Sequence, residues 1–307
     1  MLIAGSFNDS PLTAEEREAG RAAIDAALES GINFFDHADI YCHGKSEELF
    51  GEFLLGHASS RDELIIQSKC GIFLPGQPEA GLPGRFDLSY EHILESVDGS
   101  LRRLCTEYLD ILLLHRPDPL VEPEEVAEAF DLLHRTGKVR AFGVSNHSPA
   151  QIELLRTYID QPLVANQIEY NPLHAILHDA GIHTNMRVPH YGNPGEGIIE
   201  YCCANGIALQ AWSPLAKGLL SGKPSPKNGE KRIAAAAEMV AQIAEEHDTS
   251  REAIVLSWIL RHPAGIMPVI GTTKPERIRA CCESLKIELS RIEWYQIYTA
   301  AMGHGVP

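Results

Sequence analysis

Short apolar runs alternate along this chain with longer stretches in which apolar positions recur every third or fourth residue. The runs read as strands and the recurring stretches as amphipathic helices. Leu2-Ile-Ala predicts a short first strand. Thr13 with Glu16 is a capping-box pattern and opens a helix that runs to about Ser30, where Gly31 ends it. Gly31-Ile-Asn-Phe-Phe predicts a second strand leading into Asp36. Ser46-Glu-Glu predicts the cap of the next helix, whose Leu49, Phe50, Phe53 and Leu54 share one face. Strand three covers 63–69, followed by a Gly- and Pro-rich loop over 71–88 and an amphipathic helix from Ser89 to about Leu104.

The second half keeps the same beat. Strands are predicted over 109–115, 139–145, 163–168, 207–212 and 266–270. Helices are predicted over 123–136, from Ser148, over 196–205, 232–247 and 250–262, from Pro275, and over 290–302. Strands buried on both faces read as continuous apolar runs, as Asp110-Ile-Leu-Leu-Leu does. Eight such strands separated by helices predict an α/β fold with a parallel sheet closed as a (β/α)8 TIM barrel. An open doubly wound sheet would place Gly-x-Gly-x-x-Gly after an early strand, and no such turn is there. No low-complexity linker divides the chain, so residues 1–307 are expected to form one domain with a C-terminal helix and tail over 288–307.

Composition narrows the partners. Of 307 residues, 44% are apolar, and 26 basic against 42 acidic side chains give a formal charge of −16. No cluster of Lys and Arg stands out, which argues against nucleic acid or an anionic membrane as partner. No run is apolar enough to span a bilayer, and Met1-Leu-Ile-Ala-Gly lacks the pattern of a signal peptide. The seven cysteines are odd in number and contain no Cys-x-x-Cys, which suits a reducing cytoplasm. No coiled-coil heptad appears, so a monomer or weak homo-oligomer is expected.

Three predicted strands end in polar residues: Asp36 (with Tyr41 five residues later), Lys69 and His115. In a parallel barrel the carboxyl ends of the strands open onto one face, where active sites sit. The set therefore reads as one proton-transfer site. Taken singly, each residue has an ordinary alternative. Asp36 and Lys69 could be a buried structural ion pair, Tyr41 a packed loop aromatic, and His115 a core histidine.

With its neighbours the set resembles the aldo-keto reductases, in particular their bacterial NADP-dependent branch. The matching pieces are Asp36-His-Ala-Asp-Ile-Tyr41, Lys69, Leu114-His115-Arg116-Pro117, Gly143-Val-Ser-Asn146, Gln167, Trp212-Ser-Pro-Leu215 and Gly271-Thr-Thr-Lys-Pro-Glu-Arg277. They come in the family's order and span nearly the whole chain. The resemblance implies NADPH-dependent reduction of an aldehyde or ketone to an alcohol, with Tyr41 as general acid assisted by Lys69, Asp36 and His115. A phenol has an ordinary pKa of about 10. The Lys69 ammonium would lower it, Asp36 would hold Lys69 in place, and His115 would orient the substrate oxygen.

The same resemblance places the cofactor. Ser145, Asn146 and Gln167 would bond the nicotinamide carboxamide, and Trp212 would stack on its ring. Ser213, Pro214, Leu215, Lys217 and Gly218 would wrap the pyrophosphate. Gly271, Thr272, Thr273, Lys274 and Arg277 lie where a strand meets a helix start, a setting that favours anions, and would hold the 2′-phosphate. NADPH/NADP+ is the expected cofactor, with NAD as the alternative and no metal. Ordinary alternatives are a helix cap for Ser145-Asn146, core packing for Trp212 and solvated charges for Lys217 and Lys274.

Some positions depart from the family pattern. Gly271 stands where many members carry lysine, and Ala280 and Cys281 where Glu and Asn commonly hold adenine. The N-terminal hairpin that plugs the barrel in relatives is expected to be missing, and the turn Gly5-Ser-Phe-Asn after strand one is compact. Rival readings are a metal-dependent barrel hydrolase using His37, Asp39, His43 and His115, and a non-enzymatic nucleotide-binding regulator. Loops 71–88, 116–122 and 217–231 and the tail, with Phe73, Leu74, Phe86 and Arg116, would wall a mixed pocket for a small carbonyl substrate.

Overall fold

The computed structural model describes residues 3–5, 7, 8, 10–182, 197–224 and 231–307. By internal contacts the chain forms two compact units, one of residues 1–166 with 272–275 and the other of 167–271 with 276–307.

The first unit opens with helix α1 (Ala14–Glu29), started by Thr13 and Glu16 in the predicted capping box. Strand β1 (Phe34–Asp36) follows, then helix α2 (Lys45–Gly56) and strand β2 (Ile65–Cys70). Leu49, Phe50, Phe53 and Leu54 of α2 are all buried, as their spacing predicts. A two-stranded hairpin, β3 (Ile72–Phe73) and β4 (Arg85–Phe86), precedes helix α3 (Tyr90–Leu104), strand β5 (Leu109–Leu114), helix α4 (Pro123–Arg135), strand β6 (Val139–Ser145) and helix α5 (Pro149–Arg156). β1, β2, β5 and β6 pair side by side in parallel. The register sets Asp36 beside Gln67 and Lys69 beside Leu113, so polar strand ends fall together. Phe130 of α4 stacks on Phe142 of β6 with ring centroids 4.0 Å apart, closing the core on one side of these strands.

Strand β7 (Leu163–Glu169) carries the chain into the second unit, which adds helices α6 (Ile176–Ile182) and α7 (Ile198–Ala204) and strand β8 (Ala208–Trp212). Helices α8 (Lys231–Glu246) and α9 (Arg251–Leu260), strand β9 (Met267–Pro268), helix α10 (Pro275–Cys282) and helix α11 (Arg291–Met302) complete the order. β8 and β9 pair in parallel, Gln210 opposite Met267. Trp258 and Trp294 stack at 4.8 Å, and each indole N–H donates to the other's backbone carbonyl. The fully buried Trp258 and the half-buried Trp294 thus both have their indole N–H groups satisfied. No helix among the described residues is long and apolar enough to cross a membrane.

Four expectations need correction. Ile3 and Ala4 form a turn rather than a first strand, while Leu2 lies outside the described residues. Both are buried, and the Ile3 carbonyl lies close to Gly20 of α1, so helix packing satisfies this run without a ladder. Ser46 does not cap α2: the cap position is Gly44, and Ser46 is buried within the first turn. The loop 71–88 contains the β3–β4 hairpin, because Ile72, Phe73 and Phe86 favour strand and the Gly and Pro residues gather in the connection between them. Helix α6 was not expected, and its polar His178 and Asp179 hide the apolar period. Ser6, the part of 217–231 over 225–230 and the start of the helix predicted at 196 lie outside the described residues.

Candidate active site

The first unit brings Asp36, Tyr41, Lys69 and His115 together. Asp36 is the last residue of β1 and Lys69 the penultimate residue of β2. His115 follows β5, its backbone N–H still donating to the Cys70 carbonyl at 2.9 Å. Lys69 is fully buried, and its ammonium donates three hydrogen bonds: to Asp36 Oδ2 at 2.7 Å, the His37 carbonyl at 2.8 Å and the Tyr41 hydroxyl at 3.2 Å. An ammonium has three donors, so every one is used. Gln67 Nε2 donates to the other oxygen of Asp36. The Tyr41 and His115 rings meet edge to face at 5.8 Å, and Tyr41 keeps part of its surface open.

The electrostatics follow from burial and pairing. Burial pushes the Asp36 carboxyl up, but the Lys69 ammonium and its hydrogen bond outweigh burial and hold it down at about 2. Burial pushes Lys69 down, and Asp36 and Tyr41 together outweigh it, so the amine stays charged. Burial raises Tyr41 above its ordinary value, and the opposing pull of Lys69 is smaller. This corrects the expectation of an acidified phenol: Lys69 acts in the expected direction, yet desolvation wins and the hydroxyl keeps its proton at neutral pH. Burial first, and Lys69 second, lower His115 to about 3, so its ring is neutral. His115 Nδ1 is sealed without a hydrogen-bond partner.

The turn that presents Tyr41 is unusual. Cys42, His43 and Gly44 all have positive φ, at 51°, 57° and 87°. Two of the three carry a Cβ, a conformation that persists only where the surroundings hold it. The Tyr41 carbonyl accepts the N–H groups of Gly44 and Ser46, so the turn passes directly into α2. Beneath it lies a buried polar cluster that sequence reasoning did not single out as a unit. Glu47 accepts from Ser68 Oγ at 2.6 Å and from Arg103 Nε at 2.8 Å. Burial first and Glu47 second push the Asp39 carboxyl up to about 7, against the pull of Arg103.

The supposed hydrolase ligands do not converge. The His37 ring lies in the core on Phe50 at 4.7 Å, and burial holds it well below the ordinary histidine range. No cluster of three His, Cys, Asp or Glu side chains that could hold a metal ion occurs among the described residues.

Of the expected cofactor residues, Ser145 ends β6 in the first unit and Asn146 follows at φ 60°, its amide donating to Ser145 Oγ at 2.7 Å. The helix cap here is Ser148, with Gln151 completing its capping box, so Ser145 and Asn146 are not needed for that role. Thr272, Thr273 and Lys274 also belong to the first unit. The Lys274 N–H donates to Thr272 Oγ1 at 3.3 Å. In the second unit Gln167 donates to Gln210 Oε1 at 2.9 Å, and Trp212 ends β8 half-buried. The loop after it bends through positive φ at Ser213, Ala216, Lys217 and Gly218, Pro214 and Leu215 are buried, and Lys217 is exposed. Asn171, which sequence reasoning passed over, donates to the Ser213 carbonyl at 3.1 Å and ties this loop to the end of β7. Gly271 ends its segment of the second unit. Arg277, on α10, pairs with Glu252 at 2.9 Å and donates to Ser221 Oγ at 2.6 Å.

Gln67 was legible in principle. It sits two residues before Lys69 on one strand and so shares its face. Gln210, two residues before Trp212, carried the same signal, whereas Asn171 and Glu47 had none.

The sequence profile of the Aldo/keto reductase family matches residues 4–301. An uncharacterized oxidoreductase of Bacillus subtilis, YcsN, is 38% identical over 286 residues, covering 92% of this chain and 88% of the relative. A 6-dehydroglucose reductase of Agrobacterium fabrum is 37% identical over 287 residues, covering 93% of this chain and 89% of the relative. The solved glycerol dehydrogenase of Gluconobacter oxydans superposes with a TM-score of 0.78 at 26% identity, covering 99% of this chain and 90% of that one. The chain belongs to the aldo/keto reductase family, an oxidoreductase family, and the α/β fold class expected from its strand–helix alternation is that of these relatives.

Proposed function

We propose that this protein reduces a small aldehyde or ketone to the alcohol with NADPH, Tyr41 donating the proton. One observation carries the reading: a buried, charged Lys69 bonds at once to the Asp36 carboxylate, a backbone carbonyl and the hydroxyl of a partly open tyrosine. A purely structural ion pair has no need of the third partner. NADPH, when bound, would supply the hydride for the carbonyl carbon. The chain's own residues handle the oxygen. His115, neutral, gives the substrate oxygen one N–H hydrogen bond and orients it. Tyr41 Oη transfers its proton to that oxygen as negative charge develops there. Lys69 stabilises the phenolate left behind, and Asp36 with Gln67 keeps Lys69 charged and fixed. In the oxidative direction the tyrosinate is the base.

The residues available suit a nicotinamide dinucleotide. Ser145 and Asn146 offer a hydroxyl and an amide at a strand end, and Asn166 nearby has a buried side-chain oxygen with no partner. Gln167 and Trp212 would hold and stack the nicotinamide, and Ser213, Pro214, Leu215, Lys217 and Gly218 would follow the pyrophosphate. For the 2′-phosphate the candidates are Thr272, Thr273 and Lys274 in the first unit and Gly271 and Arg277 in the second. The relative named 6-dehydroglucose reductase puts oxidised sugars at the head of a substrate panel. Tyr41→Phe removes the proton and keeps the ring. It should lower kcat by about 10²-fold or more while NADPH affinity stays within about twofold. Stopped-flow NADPH oxidation beside fluorescence titration measures both, and near-wild-type turnover in Tyr41→Phe would defeat the reading.

A further inference from the structure

The distance between Tyr41 and Lys69 is set by two different elements. Lys69 is carried by β2, whereas Tyr41 sits on the turn that runs into α2. The backbone ties the segment leading to Tyr41 to β2 through the Asp39 N–H, which donates to the Lys69 carbonyl at 3.1 Å. Past that point the first turn of α2 is joined to β2 by a side chain. Glu47, on the first turn of α2 and fully buried, takes the hydroxyl of Ser68 on one oxygen at 2.6 Å and the Arg103 guanidinium on the other at 2.8 Å. Ser68 is the residue next to Lys69, and Arg103 lies at the end of α3. Arg103 in turn lies against the strained turn: a Cβ built on Gly44 would be 2.9 Å from its Cδ and 3.0 Å from its Nε. The guanidinium also donates to Ser100 Oγ at 3.4 Å.

We infer that Glu47 is a positioning residue for the reduction: bridging Ser68 and Arg103, it fixes α2 on β2 and so sets the separation between the Tyr41 hydroxyl and the Lys69 ammonium. This rests on the function proposed above. A group that acts through geometry alone makes no contact with substrate, and its loss appears in kcat rather than in cofactor binding. A misplacement of about 1 Å at reacting groups costs about 10²-fold in rate.

The test uses the full-length protein with NADPH and one reducible aldehyde. Ser68→Ala removes only the strand end of the bridge. It should lower kcat by about tenfold or more and shift the alkaline limb of its pH profile, with NADPH affinity within about twofold of wild type. Glu47→Gln keeps an oxygen for Ser68 and should lose less than Glu47→Ala. Glu52→Gln, on the same helix but in a half-exposed pair with Arg17, should leave kcat unchanged. If Glu47→Ala fails to fold, Ser68→Ala alone decides. Folded Ser68→Ala with wild-type kcat overturns the inference. So does a loss of kcat that only parallels lost NADPH binding and thermal stability while the pH profile stays put. Tyr41→Phe separates the two claims. An active Tyr41→Phe removes the function itself, whereas an inactive one beside a fully active Ser68→Ala removes only the role of Glu47.

Discussion

At the scale of single residues, the site is a balance between desolvation and pairing. Asp36 and Asp39 lie three residues apart, Asp36 buried and Asp39 partly open with its Oδ1 sealed, yet they move in opposite directions. Asp36 has Lys69 to offset desolvation and drops to about 2, while Asp39 is raised by desolvation first and Glu47 second, to about 7. The two signs predict opposite effects on stability. Asp36 is lower in the folded state than its usual 3.8, so its contribution is present above pH 4 and is lost as pH falls toward 2, about 2 kcal/mol in all. Asp39 is higher in the folded state, so folding is favoured at low pH, and that advantage is lost as pH rises from about 4 to about 7. Asp39→Asn should therefore be more stable than wild type at pH 8, by up to a few kcal/mol, with the gap closing near pH 4. Urea unfolding at both pH values checks it, and an equal difference at the two would show that Asp39 ionises freely.

At the scale of elements, helices and strands were largely readable and their ends were not. The apolar period of α2 and the capping box at Thr13 gave their helices correctly, because caps and stripes are local in sequence, and the helices expected from Ser148 and over 290–302 prove to start on capping boxes of the same kind. The start of α2 was misread because Ser46-Glu-Glu looks like a cap. The turn before it uses left-handed residues instead, and what holds that turn, Arg103, comes from another helix. The contact between α2 and α3 is correspondingly tight. A Cβ built on Gly51 would sit 2.1 Å from the Arg103 carbonyl oxygen, so Gly51→Ala must push the two backbones apart. It should cost about 1–3 kcal/mol, read as a lower thermal midpoint by circular dichroism. An unchanged midpoint would mean the helices are free to separate.

At the scale of the whole molecule, the acidic net charge of −16 works against binding a phosphorylated dinucleotide, so local cations must supply the attraction. Arg277 is held by Glu252, which fixes its guanidinium while adding a negative charge beside any phosphate. Arg277→Ala leaves that carboxylate behind. It should therefore weaken NADPH by roughly tenfold or more and NADH by much less. Ligand binding to the folded state adds RT ln(1 + [L]/Kd) to stability, about 2.7 kcal/mol at a hundredfold excess over Kd. The thermal shift given by NADPH over NADH should thus shrink in Arg277→Ala, and equal losses would place the phosphate pocket elsewhere.

The amino-acid pattern alone pointed to the alternation of strands and helices, the family, and the set of Asp36, Lys69 and His115 at strand ends with Tyr41 on the following turn, because each is written in local period or in a short motif. Only the tertiary structure decided that the phenol keeps its proton, that Glu47 takes the Arg103 guanidinium, and that Arg103 of α3 lies against the turn bearing Tyr41. Those depend on burial and on partners tens of residues away, and neither desolvation nor a long-range contact leaves a periodic trace along the chain.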